Sequence, residues 1–169
     1  LIDLTRAVTG LEFEAVCGLA QTFTRRRPGP GGRTERVDVD DAMCFLARFR
    51  GGAIGTFEAT RVAPGRKNHN CLEIAGERGS LRWNLERLNE LELFRVDDPA
   101  DAQGFRTILC LDPRHPYAAN WWPDGHLLGY EHTFVHHVVD FVLALQGGAP
   151  FAPDFADGAA VQAVLDAVL

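Results

Sequence analysis

Apolar positions recur with two different periods along this chain, and the changes of period mark out its elements. In LIDLTRAVTG, Leu1, Leu4 and Val8 share one helical face, and Gly10 stands where a C-terminal cap belongs. No capping residue precedes Leu1, so the pattern predicts the later part of a helix. A period of two follows. In DAMCFLARFR, Met43, Phe45, Ala47 and Phe49 fall on one face, while Cys44, Leu46 and Arg48 fall on the other. Gly51-Gly52 supplies a hairpin turn into AIGTFEATR. A second hairpin is CLEIAGERGSLRW: Leu72 and Ile74 alternate on the way in, Leu81 and Trp83 on the way out, with Gly76 and Gly79 at the turn. NELELFRV from Asn89 and GFRTILCL from Gly104 add two strands around the acidic turn Asp97 to Asp101, and LEFEAVCGLAQTFT leans the same way. About six strands joined mostly by short hairpins predict a largely antiparallel sheet.

The helical period returns in GYEHTFVHHVVDFVLALQGG, where Phe134, Val138, Phe141, Val142 and Leu145 form one stripe. It recurs in DGAAVQAVLDAVL, where Val161, Val164, Leu165 and Val168 share a face. The expected class is α+β: an open, mostly antiparallel sheet with helices packed on one face. Phe45, Phe49 and Phe57 carry too much apolar surface for both faces to be wet, which predicts a homo-dimer or tetramer through the open face. One helix lacks a start and another lacks a stop, and together they predict a piece of a longer chain.

Composition narrows the function. The 169 residues are 46% hydrophobic and 24% charged, as expected of one globular domain. A net charge of −6 argues against nucleic acid as a partner. No apolar run approaches the roughly 20 residues of a membrane span. The basic stretch RRRPGPGGR, Arg25 to Arg33, reads as a mobile, solvated loop. Cys17, Cys44, Cys71 and Cys110 are widely spaced without a CxxC pair. They are expected to be buried thiols, in a protein of the reducing cytoplasm.

No GxGxxG follows a strand and there is no phosphate-binding GxxxxGKS/T loop, so no dinucleotide site is expected here. His132, His136 and Asp140 line one helical face, but that face lies opposite the apolar stripe and lacks HExxH; no metal site is assigned. The most unusual stretch is DPRHPYAANWWPDGHLLGYEH, Asp112 to His132. Exposed indoles beside hydrogen-bonding side chains suit a sugar-like ring, whose C–H face stacks on an aromatic. Equally, the aromatics can simply pin a long loop. His126 is the member able to hydrogen-bond or protonate a hydroxyl near neutral pH. Arg61, at a strand end, and Arg66-Lys67 with His69 form a second polar cluster, a cationic site for a polyol or carboxylate if it faces the aromatic loop.

Four motifs in order carry a resemblance over nearly the whole chain. FRGGAIGTFEATR, CLEIAGERGSLRWNLERLNEL, WWPDGHLLGYEHTFVHHVVDFVLAL and FAPDFADGAAVQAVLDAV are similar to the strand pair, hairpin and closing helices of the glucose–fructose oxidoreductase/inositol dehydrogenase (Gfo/Idh/MocA) family. Gly52 departs from the family's commoner Asn, which either residue's tolerance of the left-handed region permits. The resemblance implies a C-terminal substrate and oligomerisation domain like that of glyceraldehyde-3-phosphate dehydrogenase. It implies a partner Rossmann domain, absent from this chain, that holds NAD or NADP. The family's catalytic His immediately precedes its LIDL and its Lys lies further upstream, so no catalytic, cofactor or metal residue is expected among these residues. The implied activity is an NAD(P)-dependent dehydrogenase or reductase acting on a small molecule: a sugar, cyclitol or related hydroxy/keto compound. The chain alone is expected to be inactive. Trp122 would stack, His126 and Tyr130 would hydrogen-bond hydroxyls, and Arg61 would orient or hold charge. The alternative is a non-enzymatic dimerisation or sensing module with a degenerate nucleotide half.

Overall fold

Every strand pairing is antiparallel, as the short hairpin connections require. The computed structural model describes residues 1–169 and separates them into two units, Leu1–Gly65 with Ala152–Leu169, and Arg66–Phe151. The class is α+β, with open sheets. The strands number nine rather than six and fall into three sheets rather than one.

The first unit starts with helix α1 (Ile2–Thr9), ended by Gly10 at φ 68, whose N–H donates to the Arg6 carbonyl at 2.8 Å. β1 (Phe13–Gln21) follows, then the short β2 (Arg26–Pro28) and β3 (Thr34–Arg36), then β4 (Ala42–Phe49) and β5 (Ile54–Thr60). The main sheet has the order β1-β4-β5. Gly51 and Gly52, both at positive φ, make the β4–β5 turn as the sequence predicts. The alternation in β4 is real: Phe45, Ala47 and Phe49 are buried and Cys44, Leu46 and Arg48 are exposed. Phe45 stacks on Phe57 at 4.4 Å, and Phe13 leans on Phe49 at 4.7 Å.

Helix α3 (Phe155–Val168) closes this core by adding Val164 and Val168, and α1 adds Ile2. Gly18 of β1 lets α3 come close, since a Cβ there would lie 2.6 Å from Val168 Cγ1. Arg6 ties the helices to the sheet's entry by pairing with Glu12 at 2.9 Å and Asp157 at 3.1 Å.

Three expectations are corrected here. The phenylalanines invoked for a subunit interface lie on the helix-covered face; the other face instead exposes Leu19, Leu46 and Ile54. No cysteine is buried: Cys17 and Cys44 lie on that exposed face, Cys71 is exposed and Cys110 is half-buried. An apolar run with period two has an outer side, and the cysteines of β1 and β4 occupy it. The basic stretch is not a loose loop but the β2–β3 hairpin. Asp41, only 3% exposed, anchors its base by accepting the N–H groups of Phe23 and Thr24 and pairing with Arg27 at 2.9 Å.

In the second unit β6 (Cys71–Gly76), β7 (Gly79–Asn84), β8 (Glu90–Arg95) and β9 (Arg106–Leu109) form one sheet in sequence order, followed by α2 (Tyr130–Leu145). Neither Gly76 nor Gly79 uses the left-handed region. Gly79 is needed for another reason: a Cβ there would collide with the Phe94 carbonyl of β8.

The expectation that helices pack on one sheet face holds for α1 and α3 and fails for α2. None of its residues is buried, and Phe134, Val138, Phe141, Val142 and Leu145 are all exposed. The side that carries His132, His136 and Asp140 is the more covered one. The aromatic segment just before the helix lies over that side, because its indole N–H and phenol O–H need acceptors that only the polar stripe offers. No helix is long and apolar enough to cross a membrane.

Candidate functional site

The aromatic segment between β9 and α2 is held at both ends and in the middle. At its start, the Asp112 carboxylate accepts from the Arg114 backbone and guanidinium at 2.7–2.9 Å. The guanidinium bonds and charge hold this carboxyl well below the usual carboxylate range. At its end, Asn89 at the entry to β8 acts as a strand mimic. Its amide donates to the Leu128 carbonyl at 2.9 Å and its oxygen accepts the Leu128 N–H at 3.0 Å.

In the middle, Trp121 Nε1 donates to His136 Nε2 at 2.6 Å, and Tyr117 stacks on the same imidazole at 4.3 Å and 14°. The Tyr117 hydroxyl donates to Asp140 at 2.7 Å, which together with nearby charge pushes the phenol pKa up. Trp121 also meets His132 edge-on at 4.3 Å. Tyr117 adopts φ 64, the one positive φ outside glycine in the chain. A bulky side chain held there is strained and persists only where its surroundings enforce it.

Among these contacts, the free nitrogens expected of a metal pair are already in use. His136 Nε2 accepts from Trp121, and His132 Nδ1 accepts the Gly129 N–H at 3.0 Å, closing the first turn of α2 in the way a Glu does in a capping box.

Of the four substrate candidates, three belong to this segment and its helix. Trp122 is 57% exposed, whereas its neighbour Trp121 is half-buried against the two histidines. His126 sits on the turn made by Gly125 at φ 88. Its Nδ1 donates to the Pro123 carbonyl at 2.9 Å, which leaves Nε2 outward. Tyr130 opens α2, 56% exposed and edge-on to Phe134 at 5.2 Å. It borders a groove of about 490 Å³ with Asn68, Leu88, Asn89, Leu109 and Leu127; Trp122 and His126 do not line it.

Arg61 lies in the first unit just past β5, with its backbone N–H on the Asp41 carbonyl at 2.8 Å. The other residues of the expected polar cluster are assigned to the second unit. Arg66 and His69 belong to the second unit, where they face Glu86 at 3.6 Å, while the Lys67 and Asn68 N–H groups donate to that carboxylate and lower its pKa.

Sequence reading missed Tyr117, Trp121, Asn89 and the partnering role of His136. Two adjacent tryptophans must differ in direction, but the sequence does not say which one turns inward. The one available signal was the match between a donor-rich loop and the acceptor-rich stripe of the helix that follows it.

A dinucleotide does not fit the residues present. All strands are antiparallel, so none leads through a Gly-rich turn into a helix N-terminus. The α2 N-terminus is closed by His132 with Glu131 in its first turn, and the α3 N-terminus is closed by Asp154.

The chain resembles the Gfo/Idh/MocA family: the "GFO/IDH/MocA C-terminal domain" model matches residues 1–82. It is 38% identical to levoglucosan dehydrogenase of Pseudarthrobacter phenanthrenivorans over 183 aligned residues, covering 100% of this chain and 46% of that protein. The crystal structure of an oxidoreductase domain protein from Kribbella flavida matches with TM-score 0.94 and 51% identity, covering 99% of this chain and 44% of the other. A structure of levoglucosan dehydrogenase in complex with NADH and L-sorbose matches with TM-score 0.91 and 40% identity, again over 99% and 44%. The chain thus spans less than half the length of these relatives.

Proposed function

We propose that this chain is the sugar-binding part of an NAD-dependent dehydrogenase, with the nucleotide held by a Rossmann domain outside the present residues. The carrying observation is the clasped aromatic segment, which leaves Trp122, His126 and Tyr130 outward. It occurs in a chain 38% identical to a levoglucosan dehydrogenase.

Trp122 offers an indole face to the C–H face of a pyranose ring. His126 Nε2 can accept a hydroxyl proton, and the Tyr130 phenol can donate to or accept from another. Arg61, in the first unit, is a separate cationic candidate for an electron-rich oxygen. None of these residues is assigned the hydride or its accompanying proton; their work is to bind and orient. By itself the chain has no dehydrogenase turnover. Four free thiols suit a reducing cytoplasm. The exposed side of β1-β4-β5, with Leu19, Leu46 and Ile54, suits contact with further copies.

Titrating the purified chain with levoglucosan, followed by the tryptophan indole resonances, tests the reading. Saturable shifts at Trp122 are expected, with affinity about tenfold weaker in Trp122→Ala. Identical affinity in that variant, or no shift in the parent chain, sinks it.

A further inference from the structure

The contacts that point away from any sugar are the ones with the best geometry in the segment. Trp121 and Tyr117 converge on the His136 imidazole, Asp140 holds the Tyr117 hydroxyl, and none of the four belongs to the candidate substrate set. We infer that His136 is a positioning residue: in its neutral form, with the proton on Nδ1, it fixes Trp121 and thereby sets the direction of the next residue, Trp122.

The tautomer follows from the hydrogen bond. An indole nitrogen only donates, so the His136 Nε2 that it meets at 2.6 Å must carry a lone pair. Tyr117 covers one face of the ring, and its hydroxyl is spent on Asp140, one helical turn further on. His132, one turn earlier, closes the other side of Trp121. The ring therefore meets Tyr117 and Trp121 from the loop, with His132 and Asp140 before and after it on its own helix. Strain at Tyr117 is consistent with a segment held by its partners rather than by its own backbone preference. Trp121 and Trp122 are joined by one planar peptide, so tethering the Trp121 side chain restrains the backbone from which Trp122 projects.

The importance of Trp122 for sugar rests on the function proposed above, and the test separates the two. His136→Phe keeps a flat ring for Tyr117 but offers no acceptor. His136→Gln offers an amide oxygen as an acceptor in place of the imidazole nitrogen. At one pH near neutrality the Trp121 indole proton should exchange slowly in the parent chain and in His136→Gln, and about tenfold faster in His136→Phe. The Trp83 indole, which donates to the Leu88 carbonyl at 3.2 Å in the same unit, is the internal control for folding.

Equal Trp121 protection in all three proteins, with Trp83 protected throughout, overturns the clasp. The sugar arm repeats the levoglucosan titration near pH 8. Affinity should fall about tenfold in His136→Phe and return to within about twofold in His136→Gln. Equal loss in both variants overturns the positioning role. A protected indole that responds as described, in a chain indifferent to levoglucosan, supports the clasp and overturns the sugar reading alone.

Discussion

Helices α2 and α3 are nearly equal in length, 16 and 14 residues, and both are rich in apolar side chains, yet they solve burial in opposite ways. α3 starts from a well-made cap, with the Asp154 carboxylate accepting the N–H groups of Ala156 and Asp157. It then lays Val164 and Val168 over β1, where Gly18 makes room. α2 begins at a glycine and turns its polar stripe to the aromatic segment, leaving its Phe and Val residues outside. The units differ in the same sense. The first concentrates a core around Phe45, Ala47 and Phe49, whereas in the second only Leu111 and Ala118 are buried and the inner sheet residues are half-covered. One unit is organised by apolar packing. The other is organised by hydrogen bonds and ion pairs around a loop.

That contrast can be broken by experiment. The largest effect is expected in the first core: Phe49→Ala should cost about 3–5 kcal/mol in denaturant unfolding, against about 1–2 kcal/mol for Leu93→Ala in the half-covered sheet. Equal losses would mean that the second unit has a core after all.

An intermediate effect is expected in acid. The N–H groups of Thr24 and Phe23, with Arg27, lower the Asp41 pKa in the folded chain, so Asp41 stabilises the fold fully above its unfolded value of about 4. The contribution fades as the pH drops through the lower folded value. Urea melts taken from about pH 7 to about pH 2 should lose stability over that range, and less steeply in Asp41→Asn, whose side chain has no charge to gain or lose. A parallel slope in the variant contradicts the assignment.

The smallest effect belongs to α2. Val138→Thr should change stability by no more than about 0.5 kcal/mol, because that side chain is already in water; a loss near that of a core valine would show the face to be covered.

Much of this was legible in the sequence because periodicity reports local geometry. The period of two in β4 sorted Phe45 from Cys44 correctly, and Gly10 and the Gly51-Gly52 pair ended their elements where predicted, since positive φ is a local demand. The substrate candidates were chosen by residue type, and Trp122, His126 and Tyr130 are exposed.

Periodicity does not say which face of an element is covered. The stripe of α2 was read as its buried side and the histidines as its solvent side, and the structure reverses them. The cysteines failed in the same way, as did the phenylalanines assigned to an interface.

The sequence by itself determined the order and kind of the elements, their antiparallel pairing and the residues rich in chemistry, because each depends on neighbours a few positions away. Only the tertiary structure decided that β2 and β3 pair, that Asn89 seizes Leu128 and that Trp121 rather than Trp122 turns inward. Those outcomes depend on which donors and acceptors meet across long stretches of chain, and a buried polar group takes whichever partner the fold brings within reach.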